Sequence, residues 1–380
     1  MLRIAPPWPA PAPARRPKTR TGPTRMLTDT DNIANKRAVW SCMNAIAESD
    51  GAQLDARLRQ IYHPDAQWRG SHPWNELQGV DAIRAGFWAP LLESFPDLER
   101  RHAIVMGGEY QDRVYVGLVG HLTGSFRRDW LGLPATDQVI HLRVGEFHQM
   151  VDGRIVQSTV LLDVLDAIRQ AGFWPLPPSL GQEGLWAGPF SGDGLLFTPQ
   201  AAAESSASLK LTLNMQATLG AYDDTLGGGR EGLLTMPQQQ FWHPKMMWYG
   251  PSGIGTARSL AGFVDCHQWP FRAAFPNAPD SPSSVERRRD GKSHYVRIGD
   301  GRYSATAGWP SRFVDHLGGG WLGLGATDRA VTMRVMDFYL ADAGRIRENW
   351  VPIDLLDLLL QMDVDVLARV RTQWGRRAPL

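Results

Sequence analysis

Residues 130–155 read WLGLPATDQVIHLRVGEFHQMVDGRI, and residues 321–346 read WLGLGATDRAVTMRVMDFYLADAGRI. The two stretches align without a gap at a constant shift of 191 residues (321 − 130 and 346 − 155). Each continues into an apolar segment that contains an aspartate, STVLLDVLDAIRQAGF from Ser158 and NWVPIDLLDLLLQMDV from Asn349. A period of about 190 residues predicts two tandem domains, because the repeats of solenoids are only about 20–50 residues long.

The residues around the first copy predict the layout of one domain. Apolar spacing indicates helices over residues 32–48, 53–61 and 80–95, with Asp31 as the N-cap of the first. Between residues 98 and 162 the pattern changes to a period of two, which indicates four strands joined by turns that contain Gly or Asp. A short helix follows from Asp163. We therefore predict an α+β fold with helices on one face of a curved antiparallel sheet.

Composition shifts predict the domain boundaries. Residues 1–28 are rich in Pro, Ala and Arg and are predicted to be a disordered tail, in which Met26 is a possible alternative start. Residues 29–173 form the predicted first domain and residues 209–380 the second. Residues 174–208, rich in Pro, Gly and Ser, form the predicted linker, whose tryptophans and phenylalanines indicate that it packs on the domains.

The overall composition excludes several classes of partner. A net charge of +1 argues against nucleic acid or an anionic membrane surface, which require a basic face. No apolar run reaches the ~20 residues of a membrane span. The two cysteines, Cys42 and Cys266, imply no disulfide framework and no metal set, so we expect a cytoplasmic protein without a bound metal. The 15 tryptophans suit a core, or a pocket for a flat apolar ligand.

An ordered set of short motifs recurs in the two copies and resembles a known family. In the first copy the set is Phe95-Pro96-Asp97, Gly132 to Thr136, Arg143, Asp152 to Ile155 and Asp163. In the second copy it is Ala326-Thr327, Arg334, Gly344 to Ile346, Asn349-Trp350 and Asp354. This order resembles the SnoaL-like polyketide cyclase family of the nuclear transport factor 2-like, or ketosteroid-isomerase-like, superfamily. The second copy departs from the pattern at Gly325 and Asp363, and the first copy departs at Thr159.

The resemblance implies two cone-shaped domains, each a strongly bent sheet wrapped on a helix with an apolar pocket open at one end. It also implies an acidic residue that acts as acid/base without a metal or an organic cofactor. Because relatives often pair as dimers, two fused copies predict an intramolecular pseudo-dimer, and a further homo-oligomer is left open.

Asp163 and Asp354 are the predicted acid/base residues, since each stands where a strand meets a helix. Burial in an apolar pocket would raise the pKa of such a carboxyl toward neutrality, as proton abstraction beside a carbonyl requires. The alternative is a helix N-cap, which needs an aspartate at the same place. The sequence leaves both interpretations open.

Further candidates surround these aspartates in the predicted pocket. His121, on a strand with two glycines, is the predicted catalytic partner of Asp163. The predicted substrate-binding residues are two arginines at matching positions, one more histidine and four tryptophans: Arg143, Arg334, His102, Trp68, Trp248, Trp350 and Trp309. For each, a purely structural role in the core or in an ion pair is the alternative.

These residues give one leading hypothesis and two alternatives. The leading hypothesis is a cofactor-independent cyclase, isomerase or lyase that acts on a small apolar carbonyl compound. The second is a non-catalytic binding or scaffold protein in which at least one pocket is filled, with the second copy as the more degenerate half. The third is an epoxide or ester hydrolase on the same fold.

Overall fold

The computed structural model describes residues 27–225, 229–235, 237–276 and 294–374. Almost all of the predicted tail, including Met26, lies outside these ranges. So does the Ser/Pro/Arg-rich insertion that the sequence indicates near residues 280–289.

The first domain consists of helices, a hairpin, more helix and then four long strands. Its elements are α1 (Asp29–Ala47), α2 (Gly51–Ile61), β1 (Tyr62–Gly70), β2 (Asn75–Gln78), α3 (Val80–Ile83), a π-helical turn (Arg84–Trp88), α4 (Ala89–Ser94), β3 (Glu99–Tyr110), β4 (Arg113–Ser125), β5 (Val139–Val151), β6 (Arg154–Leu162) and α5 (Val164–Gln170).

The second domain repeats this order. Its elements are α6 (Ala202–Thr225), α7 (Gly229–Thr235), a 3₁₀ turn (Pro237–Gln240), β7 (Trp242–Tyr249), β8 (Ala257–Arg258), α8 (Ser259–Phe263), a π-helical turn (Val264–Gln268), α9 (Trp269–Ala274), β9 (His294–Asp300), β10 (Tyr303–His316), a 3₁₀ turn (Trp321–Gly323), β11 (Arg329–Asp342), β12 (Arg345–Trp350), α10 (Leu355–Gln361) and α11 (Val366–Trp374).

Each domain has one six-stranded sheet, and the two sheets have the same strand order. The orders are β2-β1-β6-β5-β4-β3 and β8-β7-β12-β11-β10-β9. Strands β1 and β7 run parallel to β6 and β12, and all other neighbours are antiparallel. The predicted α+β fold with two tandem cone-shaped domains is confirmed. Each sheet has six strands and not the predicted four, because β1 and β2 join the sheet beside β6, and β7 and β8 join the other sheet beside β12.

Two local details differ from the sequence prediction. Thr28, and not Asp31, caps α1: the Thr28 backbone is extended and its hydroxyl accepts a hydrogen bond from the Asp31 amide at 3.1 Å. Helix α6 begins at Ala202, inside the range predicted as linker. The boundaries at residues 28, 173 and 208 otherwise stay predictions.

The two sheets pack face to face and form a shared apolar core. At its centre the rings of Phe147 and Phe338 stack at 4.9 Å, tilted by only 7°. Gly117 permits this stack, because a Cβ there would lie 2.7 Å from the Phe147 ring and 3.0 Å from the Phe338 ring. Buried Trp186 of the linker segment belongs to the same core. The two copies therefore form a pseudo-dimer within one chain.

A buried ion pair also joins the two domains. The Lys36 Nζ on α1 lies 2.7 Å from an Asp300 oxygen at the end of β9, and both side chains are at most 4% exposed. The same oxygen accepts a hydrogen bond from the Gly107 amide at 2.9 Å. A charge pair so deeply buried stabilises the pairing only while both partners are present.

Candidate active site in the second cone

The second domain encloses a cavity of about 480 Å³ between its sheet and helices α6, α8 and α9. This volume lies within the ~300–1,000 Å³ typical of ligand sites. Aromatic and aliphatic side chains form much of the wall, among them Trp248, Phe263, Phe271 and Val335. A smaller number of polar and charged side chains face the same space, as binding pockets require.

Asp337 is the carboxylate on the wall of this cavity. It lies on β11 and lines the cavity together with Tyr339, two positions further along the strand, and Asn349 of the neighbouring strand β12. Burial raises the pKa of Asp337 to about 6, although hydrogen bonds from Tyr339 and Asn349 and the charge of Arg312 oppose the shift. A carboxyl whose pKa lies near neutrality can both take up and release a proton under physiological conditions.

Tyr339 is held as a neutral phenol beside Asp337. Burial and the Asp337 charge raise the pKa of Tyr339 well above its ordinary value. Its hydroxyl oxygen accepts a hydrogen bond from Gln216 Nε2 at 3.1 Å, and the same amide nitrogen donates to Thr306 at 2.9 Å. The phenol proton is therefore free to be donated toward the carboxylate.

His267 contributes a neutral imidazole to the opposite wall. It lies in the π-helical turn of the second domain and stacks on Trp248, with ring centroids 4.2 Å apart and planes 13° apart. Burial, together with the charge of Arg312, lowers the pKa of His267 to about 3. Its buried Nδ1 has no hydrogen-bond partner within the described residues. The first domain has Phe87 in this place, tilted by 39° against Trp68 with ring centroids 4.6 Å apart.

The matching region of the first domain is filled by its own side chains. Glu146 occupies the position of Asp337 (337 − 146 = 191) and pairs with both terminal nitrogens of Arg100 at 2.6 and 3.0 Å. His148 Nδ1 lies 2.8 Å from the Ser158 hydroxyl, which donates to the Tyr62 hydroxyl at 3.1 Å. All five side chains are buried. Burial favours the neutral acid, but Arg100 and His148 outweigh it and hold the pKa of Glu146 well below its usual range.

Asp163 and Asp354 lie at the interface between the domains and cap the helices that follow them. One oxygen of each carboxylate accepts from a helix amide, Asp166 N at 3.0 Å and Asp357 N at 3.2 Å. The other oxygen accepts from a backbone amide of the opposite domain. These bonds run from Ser252 N to Asp163 at 2.8 Å and from His72 N to Asp354 at 2.9 Å.

Neither aspartate lines the 480 Å³ cavity. The space beside Asp163 measures about 10 Å³, which holds at most one water molecule. Burial raises the pKa of both carboxyls, against the opposing charges of Arg143 and Arg334. The structure therefore shows the capping geometry, while an acid/base role for either residue stays a prediction.

The two predicted arginines bind these aspartates. Arg143 lies 3.4 Å from Asp163 and 3.4 Å from Asp166. Arg334 lies 3.0 Å from Asp354 and 3.3 Å from Asp357. Neither arginine lines the cavity.

The predicted histidines and tryptophans are dispersed through the chain. Of these side chains only Trp248 lines the cavity. His121 packs against His141 at 5.8 Å, and His102 lies 6.4 Å from the Trp40 ring. Trp68 is buried against Phe87, Trp309 lies 4.3 Å from the Arg334 guanidinium, and Trp350 donates to the Ala187 carbonyl at 2.7 Å.

Asp337 and His267 are absent from the residues that the sequence singled out. The sequence does contain a signal for Asp337. An acidic residue stands at the same place in both copies, in RVGEFH and RVMDFY, within a predicted strand. His267 gives no comparable signal, because the first copy has Phe87 at the matching position. The π-helical turn that directs the imidazole into the cavity also cannot be predicted from the spacing of apolar residues.

The fold and the cavity define a class of protein, the cone-shaped α+β domain with a ligand-sized interior. Residues 43–158 match the family model of the SnoaL-like domain. The first domain is therefore a SnoaL-like domain, and the second has the same strand order. No curated protein matches the chain.

Several solved structures are similar to parts of this chain. A provisionally assigned SnoaL-like polyketide cyclase from Jannaschia sp. CCS1 is 23% identical, with 37% of this chain and 92% of that chain covered and a TM-score of 0.31. AclR from Streptomyces galilaeus, a provisionally assigned hydroxylase, is 20% identical over 37% and 97%, with a TM-score of 0.30. IdmH from Streptomyces antibioticus, a provisionally assigned polyketide cyclase, is 18% identical over 37% and 99%, with a TM-score of 0.30. These values carry no conclusion on function.

Two further features bear on the kind of site. Within the described ranges, no three His, Cys, Asp or Glu side chains converge as metal ligands would. None of the helices in those ranges combines the length and apolarity that crossing a membrane requires.

Proposed function

We propose that the chain is an acid/base enzyme of the cyclase or isomerase type, with its active site in the second cone and Asp337 as the acid/base group. The observation that carries this proposal is a single one: Asp337, whose pKa is raised to about 6, lines the 480 Å³ cavity. The family match supports the reaction class, since the SnoaL-like resemblance implies such chemistry without a metal or an organic cofactor.

The proposed reaction begins with proton abstraction. The ionised Asp337 carboxylate takes the proton from a carbon next to a carbonyl, and the electron pair of that C–H bond moves onto the carbonyl oxygen. The resulting enolate needs a hydrogen-bond donor, for which the neutral His267 ring on the cavity wall is available. In a cyclisation, the enolate carbon then attacks a second carbonyl of the same molecule, and protonated Asp337 gives its proton to the alkoxide that forms. In an isomerisation, protonated Asp337 instead gives that proton to another carbon of the conjugated enolate.

The first domain has a different role in this proposal. Its Glu146 is paired with Arg100 and its polar side chains are bonded to one another, so the carboxylate is not available for proton transfer. This supports the second hypothesis for the first domain only, as a non-catalytic partner. The sequence predicts the second copy as the degenerate half, and the open cavity in that copy favours the reverse.

The test is exchange of protons for deuterium at carbons next to carbonyls, followed by NMR with a panel of aryl ketones and β-keto esters. We expect catalysed exchange by the wild type and a loss of roughly 100-fold or more in Asp337→Asn, the usual contribution of a general base. Asp354→Asn is the matched control, because Asp354 lies in the same domain outside the cavity. Full activity of Asp337→Asn, together with loss of activity in Asp354→Asn, would return the acid/base role to the helix-capping aspartates.

A further inference from the structure

The cavity of the second domain is lined by two arginines without a carboxylate partner. Within the described part of the chain, neither Arg297 nor Arg312 forms an ion pair, and the buried Nε of Arg297 has no hydrogen-bond partner. Three arginines that are buried or half-buried elsewhere in the protein, Arg100, Arg143 and Arg334, each lie within 3.4 Å of a carboxylate oxygen. A partly buried cation without a counter-ion is unfavourable, so the half-buried Arg297 is expected where a ligand supplies the anion. Arg312 is exposed, and it adds a second positive charge to the wall of the same cavity.

The fold brings both arginines to one region of the wall. Arg297 is on β9, and Arg312 is on the adjacent strand β10, directly after a bulge that shifts the register between Gly308 and Arg312. Bulges redirect side chains and are common beside active sites. His294 also lines the cavity, and its pKa is lowered to about 4. Burial is the largest cause of this shift, and the charges of Arg297 and Arg312 follow.

These charges belong to the second domain alone. In the register of the sheets, the place of Arg297 is occupied by Val105 in the first domain, and that of Arg312 by Leu122. Arg312 also acts on Asp337, whose pKa it lowers against the larger effect of burial. An anion bound at the arginines would therefore sit in the same space as the proposed acid/base group.

The remaining wall sets the shape of the ligand. Phe263, Phe271 and Phe275 line the cavity beside Trp248, and Met333 and Val335 line it from the sheet. Such a wall suits a flat apolar ring system. We propose that the substrate of this site is a flat, apolar carbonyl compound that carries a carboxylate, bound by Arg297 and Arg312. This inference rests on the proposed function and specifies its substrate class.

The probe is a pair of ligands that share one ring system and differ in charge, 2-naphthoate and 2-naphthamide, titrated calorimetrically into the full chain. We expect the wild type to bind the carboxylate roughly ten-fold or more tightly than the amide, because charge-assisted hydrogen bonds to guanidinium are strong. Arg297→Gln and Arg312→Gln should each lose most of this preference while their affinity for the amide changes less than about two-fold. Arg297→Lys and Arg312→Lys should retain part of it, since the charge remains but the planar fork is lost.

The controls separate this inference from the proposed function. Arg101→Gln removes the same charge from an exposed side chain of the first domain and should leave the preference intact. Asp337→Asn should keep or increase the preference for the carboxylate, because a negative group is removed from the wall.

Three results would overturn the inference. The wild type binds the amide as tightly as the carboxylate or more tightly, the wild type does not bind the carboxylate, or the preference survives in the double variant Arg297→Gln/Arg312→Gln. Loss of exchange activity in Asp337→Asn without any carboxylate preference would refute the inference alone. A carboxylate preference with normal exchange in Asp337→Asn would refute the proposed function alone.

Discussion

Replacing Asp337 by Asn should stabilise the protein at neutral pH, because the wild-type carboxylate is charged in a site that favours the neutral acid. Burial raises the pKa of Asp337 from its ordinary value of 3.8 to about 6. One pKa unit corresponds to about 1.4 kcal/mol of free energy, so the ionised side chain disfavours folding by up to about 3 kcal/mol. Asn is uncharged and nearly isosteric, and it removes that cost.

The pH dependence of the difference follows from the direction of the shift. A raised pKa means that the folded state holds the proton more tightly, so the favourable contribution of neutral Asp337 is complete below about pH 4 and is lost as the pH rises through about 6. The advantage of Asp337→Asn in the free energy of unfolding should therefore be near zero at pH 4 and reach its plateau above pH 6. Urea unfolding of both proteins between pH 4 and pH 8, followed by fluorescence and circular dichroism, measures this difference.

Asp112→Asn is the control, since Asp112 is an exposed carboxylate in the turn between β3 and β4. It should show no comparable dependence on pH. Other carboxyls that titrate in this range affect wild type and variant alike, so they cancel in the difference. A variant that is less stable than the wild type at pH 7.5, or a difference that does not change with pH, would refute the reasoning that Asp337 is a half-buried acid with a raised pKa.

Three further predictions concern buried charges outside the cavity. Lys36→Met should lower the free energy of unfolding by about 3–5 kcal/mol, as loss of one partner of a buried pair does, and Lys36→Met/Asp300→Leu should recover much of it in urea titrations. Arg100→Met should cost a similar amount by leaving Glu146 alone in the first cone, yet the folded fraction should keep its proton-exchange rate. Asp354→Ala should lower the midpoint of thermal unfolding because three hydrogen-bond donors lose their acceptor, and exchange measured well below that midpoint should change less than a few-fold.

The repeat made most of the fold predictable. The alternation of residues from β3 to β6 requires an extended, two-faced backbone, and the constant shift of 191 residues transfers it to the second copy. His102 and His294 occupy matching places in the two sheets, where they pair with Gly120 and Gly308. Strand β2 was not predictable, since its four residues, NELQ, are mostly polar and show no apolar alternation.

The candidate site was predictable only in part, because cavities depend on contacts between distant elements. An aspartate before a helix looks the same in the sequence whether it faces a pocket or the other domain. The amides of His72 and Ser252 that bind Asp354 and Asp163 come from the opposite domain, and no local sequence pattern predicts these contacts. The acidic pair Glu146 and Asp337 was visible in the repeat, but its two environments differ through Arg100, which lies on another strand.

The fusion of two copies gives a physical reason for this difference. In a symmetric homodimer, any residue that opens one cone opens the other, and both carry the same destabilising groups. In the fused chain the first cone is filled and its charges are paired, as Arg100 and Glu146 show. Its sheet then supports the second domain through the stack of Phe147 on Phe338. The second cone can therefore carry a carboxylate in an unfavourable charge state, which functional sites require and which stability opposes.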